Sequence, residues 1–303
     1  MSDSLVKTIE GSLTVIDKCN NIMNKNNLKL NCEPMAENIS LAWRNLSYEV
    51  SGWFGSGKKS ILKRLNGHVT YGSMNAFLGP SGAGKTTMLN CLNGTLHSGI
   101  TSDSEIYLNR AERNQTPIIR FVEQHVHETI IARMSVREIL HYAFRFKNPM
   151  SQWNLMNQHI LSVLSELLLD KTILDNHFEK CSGGEQRRIA IAQELMSLEM
   201  PTFLFVDEPT TGLDSNAALL VMECLRKLAG NNRLTILVSI HTPNSDIMSL
   251  FDKVFVLAKG GVCIYSGPPN DLRNNLKQKI DDEFDTEKPP IEEYLDIACE
   301  GMK

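Results

Sequence analysis

Apolar positions along this 303-residue chain change their spacing three times, and each change marks a different kind of element. Residues 1–38 are polar and rich in Asn and Lys (Asn20, Asn21, Asn24, Asn26, Asn27) with weak periodicity, which predicts a variable, flexible N-terminal extension. From Ile39 short apolar runs punctuated by glycine take over, first Ile39 to Val50 and then Met74 to Leu78; both predict strands. Between 135 and 199 apolar residues fall at helical spacing, as at Met156, Ile160, Leu164, Leu167 and Leu168, and Ser135 with Glu138 forms a capping box at one helix start. Strand patterns return at Phe203 to Val206, Thr235 to Ile240 and Val254 to Leu257, around a helix from about Ser215 to Leu228 that Gly230 should end. Strands alternating with helices imply a largely parallel sheet carrying a helical insertion.

Three local patterns carry chemistry. The run Asn75 to Leu78 leads into Gly79, Pro80, Ser81, Gly82, Ala83, Gly84, Lys85, Thr86 and Thr87, the GxxxxGK[ST] phosphate loop between a strand and a helix. Its glycines let successive N–H groups turn toward phosphates, and the helix start adds partial positive charge. Lys85 is expected on the β and γ phosphates and Thr86 on Mg²⁺. A second apolar run, from Phe203, delivers Asp207 and Glu208 at its C-terminal end, where ligands bind in open α/β sheets. Asp207 is expected to hold Mg²⁺ and Glu208 to act as general base on the attacking water. By itself a strand ending in Asp-Glu is common. The third pattern, Cys181 to Arg188, opens a helix with a hydroxyl and two glycines, a further anion cradle; Ser182 and Glu185 equally fit a capping box, so a plain helix start stays open.

Ser182-Gly183-Gly184-Glu185-Gln186 resembles the signature motif of the ABC ATPase superfamily and lies, as there, between the phosphate loop and the Asp-Glu strand. The resemblance implies that Ser182, Gly183, Gly184 and Glu185 close over the γ-phosphate held by a second cassette, so that activity requires a homo- or heterodimer with head-to-tail composite ATP sites. It extends to Gln124, similar to the Q-loop glutamine that senses Mg²⁺ and the translocating partner, and to Gly212-Leu213-Asp214, similar to the D-loop. His241 is similar to the switch histidine at the γ-phosphate.

Longer stretches (Leu41 to Val50, Asp207 to Ser215, Ser239 to Ile247, Leu250 to Val254, Tyr265 to Gly267, Pro290 to Asp296) resemble the White-type G subfamily of half-transporters from residue 39 onward. That resemblance implies an α/β P-loop NTPase with a RecA-like core, an antiparallel β subdomain, and an inserted α-helical signature subdomain at about 125–199. The cassette would run from 39 to 275, and 276–303 would lead toward a membrane domain, in cis or in trans, that alone contacts the transported substrate. ATP and Mg²⁺ are the implied ligands and the cytosolic face of a membrane the implied location. Two positions depart from the pattern. Cys181 stands where the family has Leu or Val, which should alter packing and spare binding. Val50 stands where many cassettes have an adenine-stacking aromatic, leaving Tyr48, Trp53 or Phe54 as substitutes or as core residues.

Composition narrows the picture further. With 42% apolar and 22% charged residues the chain reads as a soluble globular protein with a sizeable core, and a net charge of -4 offers no basic field for nucleic acid. The basic, aromatic segment from Arg133 to Lys147 could suggest otherwise, but helical spacing sets Ile139, Tyr142 and Phe146 on one face and predicts a packed amphipathic helix. Seven scattered cysteines without ligand spacing fit a reducing compartment. Neither a secretory signal nor a run of about 18 apolar residues is present, so the chain as given is expected neither to be exported nor to span a membrane. The acidic stretch 281–287 reads as a solvated face. Two other classes stay open: a soluble ABC protein of DNA repair or translation, whose coiled coil or second cassette is not seen, and a truncated or splice-derived cassette that binds ATP and partners but cannot hydrolyse ATP alone.

Overall fold

In the computed structural model, residues 38–51, 57–109, 117–232, 234–279 and 290–300 are described. The N-terminal extension, Trp53, Phe54 and the acidic stretch 281–287 lie outside them. A three-stranded antiparallel sheet has the order β2-β1-β4, with β1 at Ile39–Val50, β2 at Lys59–Thr70 and β4 at Glu105–Leu108. The larger sheet is built from β3 (Met74–Leu78), β5 (Ile119–Val122), β6 (Phe203–Asp207), β7 (Thr235–Ile240), β8 (Lys253–Ala258) and β9 (Val262–Gly267). Its order is β5-β6-β7-β3-β8-β9, parallel throughout except for β9, which returns antiparallel to β8.

Period-2 alternation explains how one sheet supports two cores. Leu204, Val206, Ile236, Val238, Val254 and Val256 point to the main core, whereas Phe203, Phe205, Leu237, Phe255 and Leu257, one position out of phase on the same strands, point to the other. The second core is closed by the antiparallel sheet and by α1 (Lys85–Leu92), which contributes Met88, Leu89 and Leu92. Trp43 of β1 lies over Phe255 and Phe77, with ring centroids 5.1 and 6.0 Å away. Gly67 permits this approach, because a Cβ there would fall 2.4 Å from the indole. Each fully buried phenylalanine contributes roughly 2–3 kcal/mol of transfer free energy.

The insertion holds α2 (Val126–Thr129), α3 (Val136–Lys147), α4 (Met156–Glu166) and α5 (Gly183–Glu194), and both α3 and α5 open on the capping boxes legible in the sequence. After it come α6 (Ser215–Asn232), α7 (Ser245–Met248), α8 (Leu272–Lys279) and α9 (Pro290–Glu300). Strand bounds at β1, β3 and β7 coincide with the expected runs. No helix among the described residues is long and apolar enough to cross a membrane.

Three expectations change, at Gly230, on α3 and at Leu168. Helix α6 does not stop at Gly230 but continues to Asn232. That glycine does not take the left-handed conformation of a helix stop, and Leu228 and Ala229 before it are buried, so packing carries the helix through. On α3 the packed stripe is Val136, Leu140, Ala143 and Phe144 with Ile139 at its edge, while Tyr142 and Phe146 are 42% and 51% exposed and stack on each other. The neighbouring stripe of the same helix makes the tighter fit. Leu168 follows the end of α4 at a φ of 51° and is exposed. Of the two roles open to Tyr48 the structure takes the core one, burying it in the second core, whereas Val50 is exposed. Beyond position 275 the main core also takes in Leu276, Ile291, Tyr294, Leu295 and Ala298, and the Lys259 amide donates to the Ala298 carbonyl at 2.9 Å.

Candidate active site

Parallel strands aim their C-terminal ends at one edge of the sheet, and each strand end there releases a site segment: Gly79 after β3, Gln124 after β5, Glu208 after β6 and His241 after β7. The phosphate loop is shaped by its glycines. Gly79 has φ 150° and a Cβ on it would lie 2.2 Å from the Leu257 carbonyl oxygen; Gly84, at φ 99°, precedes α1 directly. No side chain caps α1 and no acid stands in its first turn, so its N-terminal amides are left to an anion. Lys85 is only 4% exposed, and its Nζ donates to the carbonyls of Gly79 (2.9 Å) and Pro80 (3.2 Å) and stands 3.7 Å from Glu208 Oε1. Burial pushes its pKa below the ordinary lysine value, against the pull of the Glu208 and Asp207 charges.

Hydroxyl and carboxylate oxygens gather beside the loop. Thr86 Oγ1 donates to Asp207 Oδ1 at 3.2 Å, and Ser239 Oγ donates to the same carboxylate oxygen. Ser239 lies opposite Asp207 in the sheet and also accepts the Glu208 amide, through Oγ at 2.9 Å and through its carbonyl at 3.1 Å. Glu208 sits at φ 44°, a left-handed conformation that costs a non-glycine residue energy and turns its side chain out of the strand direction. Its Oε2 accepts from Gln124 Nε2 at 2.7 Å and from Thr211 Oγ1 at 2.9 Å. Ser239 and Thr211 escaped sequence reading, although a serine inside the apolar run of β7 was a signal.

Hydrogen bonds thus join Thr86 to Asp207 and Gln124 to Glu208, and the ion pair with Glu208 adds Lys85 to the constellation. The other candidates bond locally. Ser182 accepts the Glu185 amide at 3.4 Å, and Glu185 Oε2 accepts the Ser182 amide at 2.8 Å. Ser182 and Gly183 are exposed at the start of α5. A Cβ on Gly183 would meet Leu213 at 3.0 Å and one on Gly184 would meet Ala217 at 3.2 Å, so this helix start lies directly on the Gly212-Leu213-Asp214 turn and on α6. Asp214 Oδ1 accepts the amides of Asn216 and Ala217, both at 3.0 Å, and so caps α6. His241 is exposed, with Nδ1 2.7 Å from Thr242 Oγ1. A cavity of about 230 Å³ is lined by Pro80, His241 and Thr242 together with Glu292, Leu295, Asp296 and Cys299 of α9. Cys181, 7% exposed, packs in the main core, and burial raises its thiol pKa, the behaviour of a small apolar residue.

A family profile described as ABC transporter matches residues 62–211. The chain is 34% identical over 238 residues to ABC transporter G family member 11 of Arabidopsis thaliana, covering 76% of this chain and 33% of that protein. It is 36% identical over 269 residues to ABC transporter G family member 24 of Dictyostelium discoideum, covering 84% of this chain and 22% of that protein. The chain thus spans a third or less of the length of these relatives. Among solved structures, the dimeric bacterial ABC transporter cassette MJ0796 superposes with a TM-score of 0.61 at 25% identity, covering 75% of this chain and 98% of that one. The cbiO1 structure from Clostridium perfringens, part of the transporter complex cbiONQ, gives a TM-score of 0.64 at 25% identity, with 80% of this chain and 97% of that one covered.

Proposed function

Since this chain belongs to the ABC transporter family as an ATP-binding cassette of G-family type, we propose that it hydrolyses Mg-ATP as one half of a cassette dimer and thereby drives transport through a membrane domain. One observation carries the catalytic reading: Glu208, at the strand end beside the phosphate loop, has Oε2 held by two donors, Gln124 and Thr211. A carboxylate fixed at one oxygen keeps the other oriented to take a proton from water.

The loop from Gly79 through Gly82, Ala83 and Gly84 to Thr87 cradles the phosphates, with Pro80 and Ser81 shaping its turn. Lys85 neutralises phosphate charge from a buried position, where water screens little of the attraction. Thr86 and Asp207, with Gln124 beside them, are hard oxygen donors of the kind Mg²⁺ takes; bound there, the ion would offset negative charge on the β and γ oxygens. His241 reaches the γ-phosphate from the end of β7. Ser182 and Gly183 offer the exposed start of α5 to the nucleotide of a second cassette, with Gly184 and Glu185 completing that helix start behind them, and Asp214 lies at the same interface.

On this reading residues 39–275 form the cassette with its helical part at about 125–199, and 276–303 lead toward the membrane domain, all at the cytosolic face. Steady-state ATPase measurements over a range of protein concentrations test it. Turnover that rises more steeply than first order, together with retained ATP binding and nearly abolished turnover in Glu208→Gln, is the expected result. Normal turnover in Glu208→Gln removes Glu208 as base, and failure of the intact chain to bind ATP removes the whole reading.

A further inference from the structure

Arg187 lies in the first turns of α5, five residues beyond Ser182, and is 6% exposed. A buried guanidinium must find acceptors or destabilise the fold. Its Nη1 donates to two consecutive carbonyls, those of Glu123 and Gln124, both at 3.0 Å. These belong to the segment that leaves β5 for the site, and holding both fixes the backbone from which the Gln124 side chain projects. That side chain in turn donates to Glu208 Oε2 at 2.7 Å. Burial lowers the Arg187 pKa while the charges of Asp207 and Glu208 raise it, so the guanidinium also lies within the field of the two site carboxylates. Its neighbour Arg188 bonds differently: its donors go to the carbonyls of Gly184, Leu167 and Leu168, within the helical insertion.

We infer that Arg187 is a positioning residue that, through the 123–124 backbone, sets where Gln124 holds Glu208 and so couples the start of α5 mechanically to the carboxylate. The inference rests on the reading of Glu208 as general base. A helix of twelve residues is stiff over this distance, so a displacement at Ser182 is passed to Arg187 within two turns. Occupation of the exposed helix start by a partner's phosphates is thereby felt at the opposite site through one side chain.

The test uses the full chain in three variants, Arg187→Met, Gln124→Ala and the double variant, with Arg187→Lys alongside. Hydrogen exchange in the nucleotide-free protein should rise at the amides of residues 124–126 in Arg187→Met, by about threefold or more, and stay unchanged at Leu167–Leu169. In turnover, Arg187→Met should lower kcat about tenfold with KM for ATP nearly constant. The double variant should turn over no more slowly than Gln124→Ala, since both act through one amide. Additive losses, or wild-type exchange at 124–126, overturn the inference. Arg187→Lys keeps the charge but loses the planar guanidinium and its reach, and should lie between wild type and Arg187→Met. If the methionine variant does not fold, wild-type exchange and kcat in Arg187→Lys overturn the inference equally. Normal turnover in Glu208→Gln would instead bring down the base assignment, and leave the exchange result as the measure of the Arg187 contact.

Discussion

Gln124 and Glu208 leave neighbouring strands, β5 and β6, and meet side chain to side chain, Nε2 donating to Oε2 at 2.7 Å. A hydrogen bond to a charged group contributes about 1.5–3 kcal/mol, which corresponds to roughly 10- to 150-fold in rate if the full amount is expressed in the transition state. Gln124→Ala should therefore lower kcat by roughly tenfold or more while leaving ATP affinity near its original value. Steady-state turnover with separately measured nucleotide binding checks this; a weakened affinity at unchanged kcat would contradict it.

The glycines of the phosphate loop are not equivalent. Gly82 has φ 79° but open space where a Cβ would stand, so Gly82→Ala should cost only the left-handed strain of about 1–2 kcal/mol. In Gly79→Ala the new carbon would lie 2.2 Å from the Leu257 carbonyl oxygen, a main-chain atom within β8 that cannot swing aside. The second variant should lose clearly more stability in urea unfolding of the nucleotide-free protein. Equal losses would contradict the steric argument.

Much of this architecture was legible because it is written in short-range alternation. The strands β1, β3 and β7 declared their bounds, and the two capping boxes declared the starts of α3 and α5. What escaped depends on tertiary packing. Tyr142 and Phe146 follow helical spacing as faithfully as Leu140 and Phe144, and only the neighbouring elements decide which stripe is covered. Gly230 reads as a stop until Leu228 and Ala229 are seen buried beside it. Arg187 carries no sign of its role in the sequence, since nothing near it reveals the carbonyls of Glu123 and Gln124 that it meets.

Lys147 and Glu194 form an ion pair at 2.9 Å between α3 and α5, and Lys147 Nζ also donates to the Gln193 carbonyl at 2.6 Å. Burial lowers the Lys147 pKa, Glu194 raises it, and the nearby Arg120 charge lowers it again. Glu194→Ala would leave the Lys147 ammonium buried without the carboxylate it pairs with, and should cost about 3 kcal/mol in urea unfolding. Lys147→Met combined with Glu194→Leu should recover most of that loss; a double variant as unstable as the single one would refute the electrostatic explanation.

Tyr294 of α9 and Tyr265 of β9 pack with ring centroids 5.2 Å apart, and their hydroxyls donate to Asn275 Oδ1 at 2.7 Å and the Pro268 carbonyl at 2.6 Å. Burial raises both phenol pKa values to about 12. A raised folded-state pKa contributes stability that is complete below the unfolded value near 10 and is lost as pH climbs from about 10 through about 12. Stability should accordingly fall across that window, with Tyr265 and Tyr294 titrating late in ultraviolet difference spectra. Tyr294→Phe should remove one late titration and reduce the slope. An unaltered titration curve would count against the packing assignment.

The alternation along β6 reaches beyond stability. Phe205 and Val206 are adjacent in the chain yet belong to different cores. A change at one is absorbed by Trp43's side of the sheet, and a change at the other by the helical insertion's side. Mutational drift in the two halves is thus insulated by a single layer of backbone. Substitutions on the helical insertion's side should leave the layer beneath the phosphate loop untouched, and compensating substitutions should pair within a face far more often than across it.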